Sequence, residues 1–108
     1  MKELKVQIVS AGNTAAPCFY AIESKGYKVK ISSCLRQVPY KRISYQYDAY
    51  KKDEFFSASS PEELLGLIHM WEIRGDSWRV SKSEAHKYGE YVDNSPLYDE
   101  DGNLLKDD

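Results

Sequence analysis

Leu4, Val6 and Ile8 alternate with Lys5 and Gln7, and Val9 extends the apolar run. A period of two predicts a strand, and an end that turns apolar on both faces places it at the centre of a sheet. Ser10-Ala11-Gly12-Asn13-Thr14 breaks the pattern. Asn13 or Thr14 stands where a helix cap belongs, and Pro17 falls in the first turn, where its missing N–H costs little. The helix continues from Ala15 to Lys25 with Cys18, Phe19 and Ile22 as its apolar stripe. Gly26 supplies the left-handed position past its end, and Tyr27 the hydrophobic contact that accompanies it. From Lys28 to Ser33 alternation returns, with Val29 and Ile31 inward and Lys28 and Lys30 outward. Strand, short helix, strand predicts a right-handed crossover and two parallel strands.

Leu35 to Arg42, with Pro39, reads as an irregular or edge segment. Ile43, Tyr45, Tyr47 and Ala49 then share one face, the predicted core face, opposite Ser44, Gln46, Asp48 and Tyr50. Lys51-Lys52-Asp53 turns the chain into a short strand at Glu54–Ser57. Ser60-Pro61-Glu62-Glu63 is a helix start: Ser60 caps, Pro61 takes the first helical position, and Glu63 completes a capping box. This helix runs to about Arg74 and stops at Gly75, with Leu64, Leu67, Ile68 and Trp71 as its stripe. Leu65, Met70 and Ile73 widen that stripe, which predicts packing on most sides. Trp78-Arg79-Val80 reads as a short strand, and Ser81-Lys82-Ser83-Glu84 as a second capping box opening a helix to about Tyr88. Asp101-Gly102-Asn103, between Leu97-Tyr98 and Leu104-Leu105, predicts a terminal hairpin or an extended tail. The sum is an α+β fold, a two-layer α/β sandwich. Its mixed sheet of about four strands begins with a β-α-β unit and carries two main helices. One globular domain is expected over residues 1–92, and an acidic, turn-rich tail or hairpin over 93–108.

Composition agrees with a single soluble domain: 108 residues, 42% hydrophobic and 30% charged. No apolar run approaches the roughly 20 residues that cross a bilayer, so no membrane partner is expected. The first residues lack the roughly 7–15-residue apolar stretch of a signal peptide, so a cytoplasmic location is expected. Two cysteines, Cys18 and Cys34, make no disulfide framework and are read as reduced thiols. The formal charge of −2 hides an asymmetry. Residues 93–108 hold six acids against one base, a charge of −5, whereas residues 25–52 hold eight bases against one acid, Asp48, a charge of +7. A basic stretch of that density suits an anionic partner.

Candidate chemistry is sparse. The turn at Asn13 and Thr14 meets a helix start, where backbone N–H groups and the helix dipole attract an anion. It lacks the Lys of a GxxxxGK[ST] loop and the glycines of GxGxxG, and a capped turn without a ligand explains it better. Cys18, in the first turn, is a weak catalytic candidate because the dipole there lowers a thiol pKa. His69 and His86 are its only possible bases, and Cys18 also falls on the apolar stripe. No metal ligand set converges: His69-x-x-Glu72 stands alone, and Asp99, Asp101 and Gly102 fail the calcium-loop pattern because Leu97 holds its first position. No cofactor is expected. The basic segment interleaves Tyr27, Tyr40, Tyr45, Tyr47 and Tyr50 with its cations. Such a mixture stacks nucleic-acid bases and also builds protein-binding surfaces, the latter favoured by a pI of about 5.7 and by Tyr45 and Tyr47 on the core face, while a solvated sheet face that needs no partner explains it too. Tyr40, Lys41, Arg42, Tyr50, Lys51 and Lys52 are its candidate partner- or anion-binding residues.

The stretch from Ala58 to Gly75, with Ser60-Pro61-Glu62-Glu63-Leu64-Leu65-Gly66-Leu67-Ile68-His69-Met70-Trp71, resembles that of short bacterial proteins of uncharacterised function. The overall profile resembles the small cytosolic immunity proteins of bacterial toxin systems, which block a toxin by covering its active site. The stretch is about a sixth of the chain and transfers no site residues. The resemblance implies a non-catalytic protein whose partner is another protein, with Asp99, Glu100 and Asp101 facing a basic nuclease toxin. Beside it stand a nucleic-acid or nucleotide-binding module on residues 27–52 and an enzyme built on Cys18.

Overall fold

The computed structural model describes residues 3–106, in two compact units that divide after Gly75. The first unit contains helix α1 (Ala15–Ser24), strands β1 (Lys28–Arg36), β2 (Arg42–Lys51) and β3 (Glu54–Ala58), and helix α2 (Pro61–Arg74). The strands form an antiparallel meander in the order β1-β2-β3. β1 pairs with β2 without a break from Lys28↔Tyr50 to Arg36↔Arg42, and β3 pairs only with the later half of β2, from Tyr47↔Ala58 to Lys51↔Glu54.

The α+β class and the two-layer arrangement are as expected, but the parallel start is not. Leu4 to Val9 form no strand, and every sheet pairing is antiparallel, so the β-α-β unit and the mixed sheet are corrected. Alternation makes a strand only where a neighbour takes up its N–H and C=O groups. In the described chain β1 takes β2 as its neighbour, and Leu4, Val6, Ile8 and Val9 stay 67–77% exposed.

The core lies between the two helices and one face of the sheet. Ile22 of α1, Leu64 and Ile68 of α2, Ala49 of β2 and Tyr27 are buried, with Val29, Tyr47, Phe56, Ala58 and Leu65 packed around them. Ile22, Leu64 and Ile68 are fully buried, and each contributes on the order of 1.5–3 kcal/mol. Gly26 ends α1 at φ +93°, and its backbone N–H donates to Glu23 O at 2.9 Å. At the start of α2, Ser60 Oγ accepts from Glu63 N–H at 3.2 Å. The expected box is only half made, because the Glu63 carboxylate instead accepts from Ser59 Oγ at 3.0 Å. α2 buries one side, not most sides: Leu67 is 37% and Ile73 71% exposed, off the line through Leu64 and Ile68.

The second unit holds helix α3 (Lys82–Asp93) and a hairpin of β4 (Leu97–Tyr98) with β5 (Leu104–Lys106). Here the capping box is complete. Ser81 Oγ accepts from Glu84 N–H, and Glu84 Oε1 accepts from Ser81 N–H, both at 3.1 Å. Trp78-Arg79-Val80 forms no strand; the Arg79 guanidinium lies 4.3 Å above the Trp78 ring. Asp99 closes the hairpin turn, accepting from the N–H groups of Asn103 (2.8 Å) and Asp101 (3.0 Å). Asn103, through its backbone and side-chain bonds, holds that carboxyl below the usual range.

Candidate interaction surface

Register assigns each strand residue to a face. Val29, Tyr47, Ala49, Phe56 and Ala58 point to the helices, so Lys28, Lys30, Ser32, Cys34 and Arg36 point outward with Arg42, Ser44, Gln46, Asp48, Tyr50, Phe55 and Ser57. At the centre of this outer face Asp48 is 8% exposed. Its carboxylate accepts from Ser57 Oγ at 2.6 Å and from Gln46 Nε2 at 2.9 and 3.2 Å, with Lys30 opposite on β1. The Ser57 and Gln46 bonds, and then the Lys30 charge, hold the Asp48 carboxyl below the usual carboxylate range. Toward the hairpin tip a cleft of about 350 Å³ of mixed polar and apolar lining opens among Ser32, Cys34, Arg36, Tyr45, Gln46 and Ala58. Sequence reasoning did not single out this network. Its signal was Asp48 as the one acid among eight bases in residues 25–52.

The candidate residues separate into three places. Tyr40, Lys41 and Arg42 stand at the β1–β2 tip, where Arg42 Nη1 donates to Val38 O (2.9 Å) and Tyr40 O (3.2 Å). Its guanidinium also lies 5.1 Å above the Tyr40 ring, so the tip is held by its own arginine. Tyr50, Lys51 and Lys52 stand at the other end of β2, about 30 Å away at roughly 3.3 Å per residue. There Tyr50 packs on Phe55, with ring centroids 5.0 Å apart. Lys51 Nζ donates to Lys25 O at 2.8 Å and lies 5.2 Å above the Tyr27 ring. Lys52 takes the turn position at φ +55°. Tyr27 Oη donates to Glu54 Oε1 at 2.6 Å, and burial followed by that bond pushes its pKa up.

Asn13 and Thr14 form the third place. Thr14 makes no side-chain cap; its hydroxyl donates to Glu62 Oε2 at 2.9 Å, across to the first turn of α2. A carboxylate therefore already faces this helix start, where an anion was expected. The same environment corrects the expectation for Cys18: burial, and then the Glu62 charge, push its thiol up rather than down. The two histidines are engaged elsewhere, His69 with Glu72 at 3.5 Å and His86 with Glu90 at 2.8 Å. Glu72 also takes the Lys25 ammonium at 2.8 Å, clamping α1 to α2.

A second correction concerns the presumed core face. Tyr47 is half-buried, but Tyr45 is 53% exposed and Ile43 57%. The helices cover the sheet only as far as β3 extends, and the β1–β2 hairpin continues beyond them. Leu35, Ile43 and Tyr45 form an apolar stripe on this projecting part, with Tyr40 65% exposed at the tip. Among the described residues no helix is long and apolar enough to cross a membrane, and no group of three His, Cys, Asp or Glu is placed to hold a metal. Comparison of the chain with family models, curated proteins and solved structures gave no match.

Proposed function

We propose that the chain is a small, non-catalytic protein-binding protein that acts as an inhibitor or immunity protein does, by masking a surface of another protein. The observation that carries this reading is the apolar stripe left uncovered on the projecting hairpin. Ile43, Tyr45 and Tyr40 offer tyrosine and aliphatic anchors, and Lys41 and Arg42 add positive charge at the tip. Tyr and Arg dominate interface energetics, and anchors already ordered before binding lose less entropy. Arg42, stacked over Tyr40, gives that order at the tip. The fitting partner presents an apolar patch rimmed by carboxylates.

The nucleic-acid reading has less support. The two tyrosine clusters lie about 30 Å apart, the cations Lys25 and Lys51 are held by groups of the chain itself, and Asp48 occupies the centre of the outer face. The raised Cys18 thiol weighs likewise against nucleophilic catalysis. The test is capture from source cells on the immobilised chain, followed by titration of the retained protein. Tyr45→Ala should weaken it by about 2 kcal/mol, roughly 30-fold, while Tyr88→Ala in α3 leaves it unchanged. A retained protein indifferent to Tyr45→Ala, or no retained protein, overturns the reading.

A further inference from the structure

Short side chains hollow out the outer face of the β1–β2 hairpin. Ser32 stands beside Gln46 and Cys34 beside Ser44, with Lys30 beyond one end and Arg36 and Arg42 beyond the other. Between these longer side chains lies the cleft of about 350 Å³, a size that admits a small ligand. Its two ends differ in hydrogen-bonding character. At the tip end Arg36 Nε donates to Ser44 Oγ at 3.0 Å, which fixes the plane of the guanidinium. Among the described residues no carboxylate takes the terminal amino groups of Arg36, in contrast to Lys25, which holds Glu72 at 2.8 Å. Ser44 accepts in its bond with Arg36 and keeps its own O–H to donate. A guanidinium fork beside a hydroxyl is a donor set for an oxyanion.

The other end presents acceptors. Gln46 Nε2 donates to Asp48 at 2.9 Å, which leaves the Gln46 carbonyl oxygen, and Ser57 gives its one O–H proton to Asp48 at 2.6 Å, which leaves the lone pairs of its oxygen. The Asp48 carboxylate, 8% exposed, thus sets the orientation of both. Such acceptors suit the hydroxyls of a ligand and disfavour a second anionic group. Ser44 and Gln46 are two residues apart on β2, about 7 Å at roughly 3.3 Å per residue, so one small molecule reaches both ends. We propose that the cleft binds a small sugar phosphate, with the phosphate on Arg36 and Ser44 and the sugar hydroxyls on Gln46 and Ser57. Ala58 adds an apolar wall for the C–H groups of the sugar. Inorganic phosphate alone leaves the acceptor end unmet, and a neutral sugar leaves the donor end unmet. None of these four polar contacts is among the anchors of the partner-binding reading, so the two are tested separately.

The test is calorimetric titration of the full chain with ribose 5-phosphate, and separately with ribose and with inorganic phosphate. The sugar phosphate should bind about tenfold more tightly than either part, or better. Arg36→Gln should weaken it by about tenfold or more, because the charge-assisted fork is lost, while Lys28→Gln on the same face leaves it unchanged. Both positions are exposed, so the circular dichroism of each variant should match that of the parent. Saturating ribose 5-phosphate should also slow alkylation of Cys34, which lines the cleft, and leave that of Cys18 unaffected. No binding at millimolar concentration, equal binding of ribose or inorganic phosphate, an affinity indifferent to Arg36→Gln, or an unprotected Cys34 overturns the proposal.

Discussion

If the helices cover only the half of the sheet that β3 reaches, two isoleucines should differ sharply in what they contribute. Ile68 is fully buried between α2 and the sheet, whereas Ile43 is 57% exposed on the projecting hairpin. Truncation to Ala removes three carbons from either. At about 0.8 kcal/mol per buried CH₂ the transfer loss at Ile68 is about 2.4 kcal/mol. The cavity left behind raises the total to about 2–5 kcal/mol. At Ile43, with under half of the side chain out of water, the same count gives about 1 kcal/mol or less. Urea unfolding reads the difference, followed by the fluorescence of Trp71, whose ring centroid lies 6.0 Å from that of Phe56. A Trp78→Phe background leaves Trp71 as the only tryptophan. Ile68→Ala should lower the midpoint strongly with the slope unchanged, and Ile43→Ala only slightly. Equal losses would mean that the projecting part of the hairpin is packed, and the account of the surface would fail.

Three further outcomes follow from single contacts. The Asp48 carboxyl is held below its usual range in the folded chain, so its stabilising contribution is complete above the ordinary carboxylate range and is lost as pH falls through the depressed folded value. Asp48→Asn should therefore flatten the acid side of the stability profile, and an unchanged profile would show that the Ser57 and Gln46 bonds contribute nothing. Cys18 should alkylate more slowly than exposed Cys34, and Glu62→Gln should accelerate it; quantitative mass spectrometry of iodoacetamide adducts decides, and a Cys18 faster than Cys34 contradicts the environment described. Gly26→Ala should cost about 1–2 kcal/mol in urea because φ is +93° there, and a neutral substitution would refute that backbone assignment.

What the sequence made legible was local. Gly26 after a helix, Ser60-Pro61 before one and Ser81 with Glu84 act within a turn of chain, and all three boundaries stand where the residues put them. α3 runs to Asp93, beyond the expected Tyr88: it continues through Gly89, whose usual reading is a helix stop, and ends at Asn94. Pairing is not local. The alternation of Leu4–Val9 is as regular as that of Lys28–Ser33, but only the latter finds a neighbour in the described chain. Tyr45 and Ala49 share a face by parity, yet β3 is five residues long and β2 ten, so the helix layer reaches one and not the other. The surroundings of Cys18 and Thr14 are non-local in the same way. Glu62 is 48 residues from Thr14 in sequence, and its carboxylate meets the start of α1 only through packing of the two helices.

On the proposed function, the projecting hairpin face is open in the protein alone and covered once the partner binds. Oxidative footprinting of the nine tyrosines, before and after addition of the captured partner, measures this directly. Tyr40 and Tyr45 should be labelled in the protein alone and protected in the complex, with Tyr27, 5% exposed, unlabelled in both. A Tyr45 already protected without the partner, or labelled equally in the complex, would contradict the account.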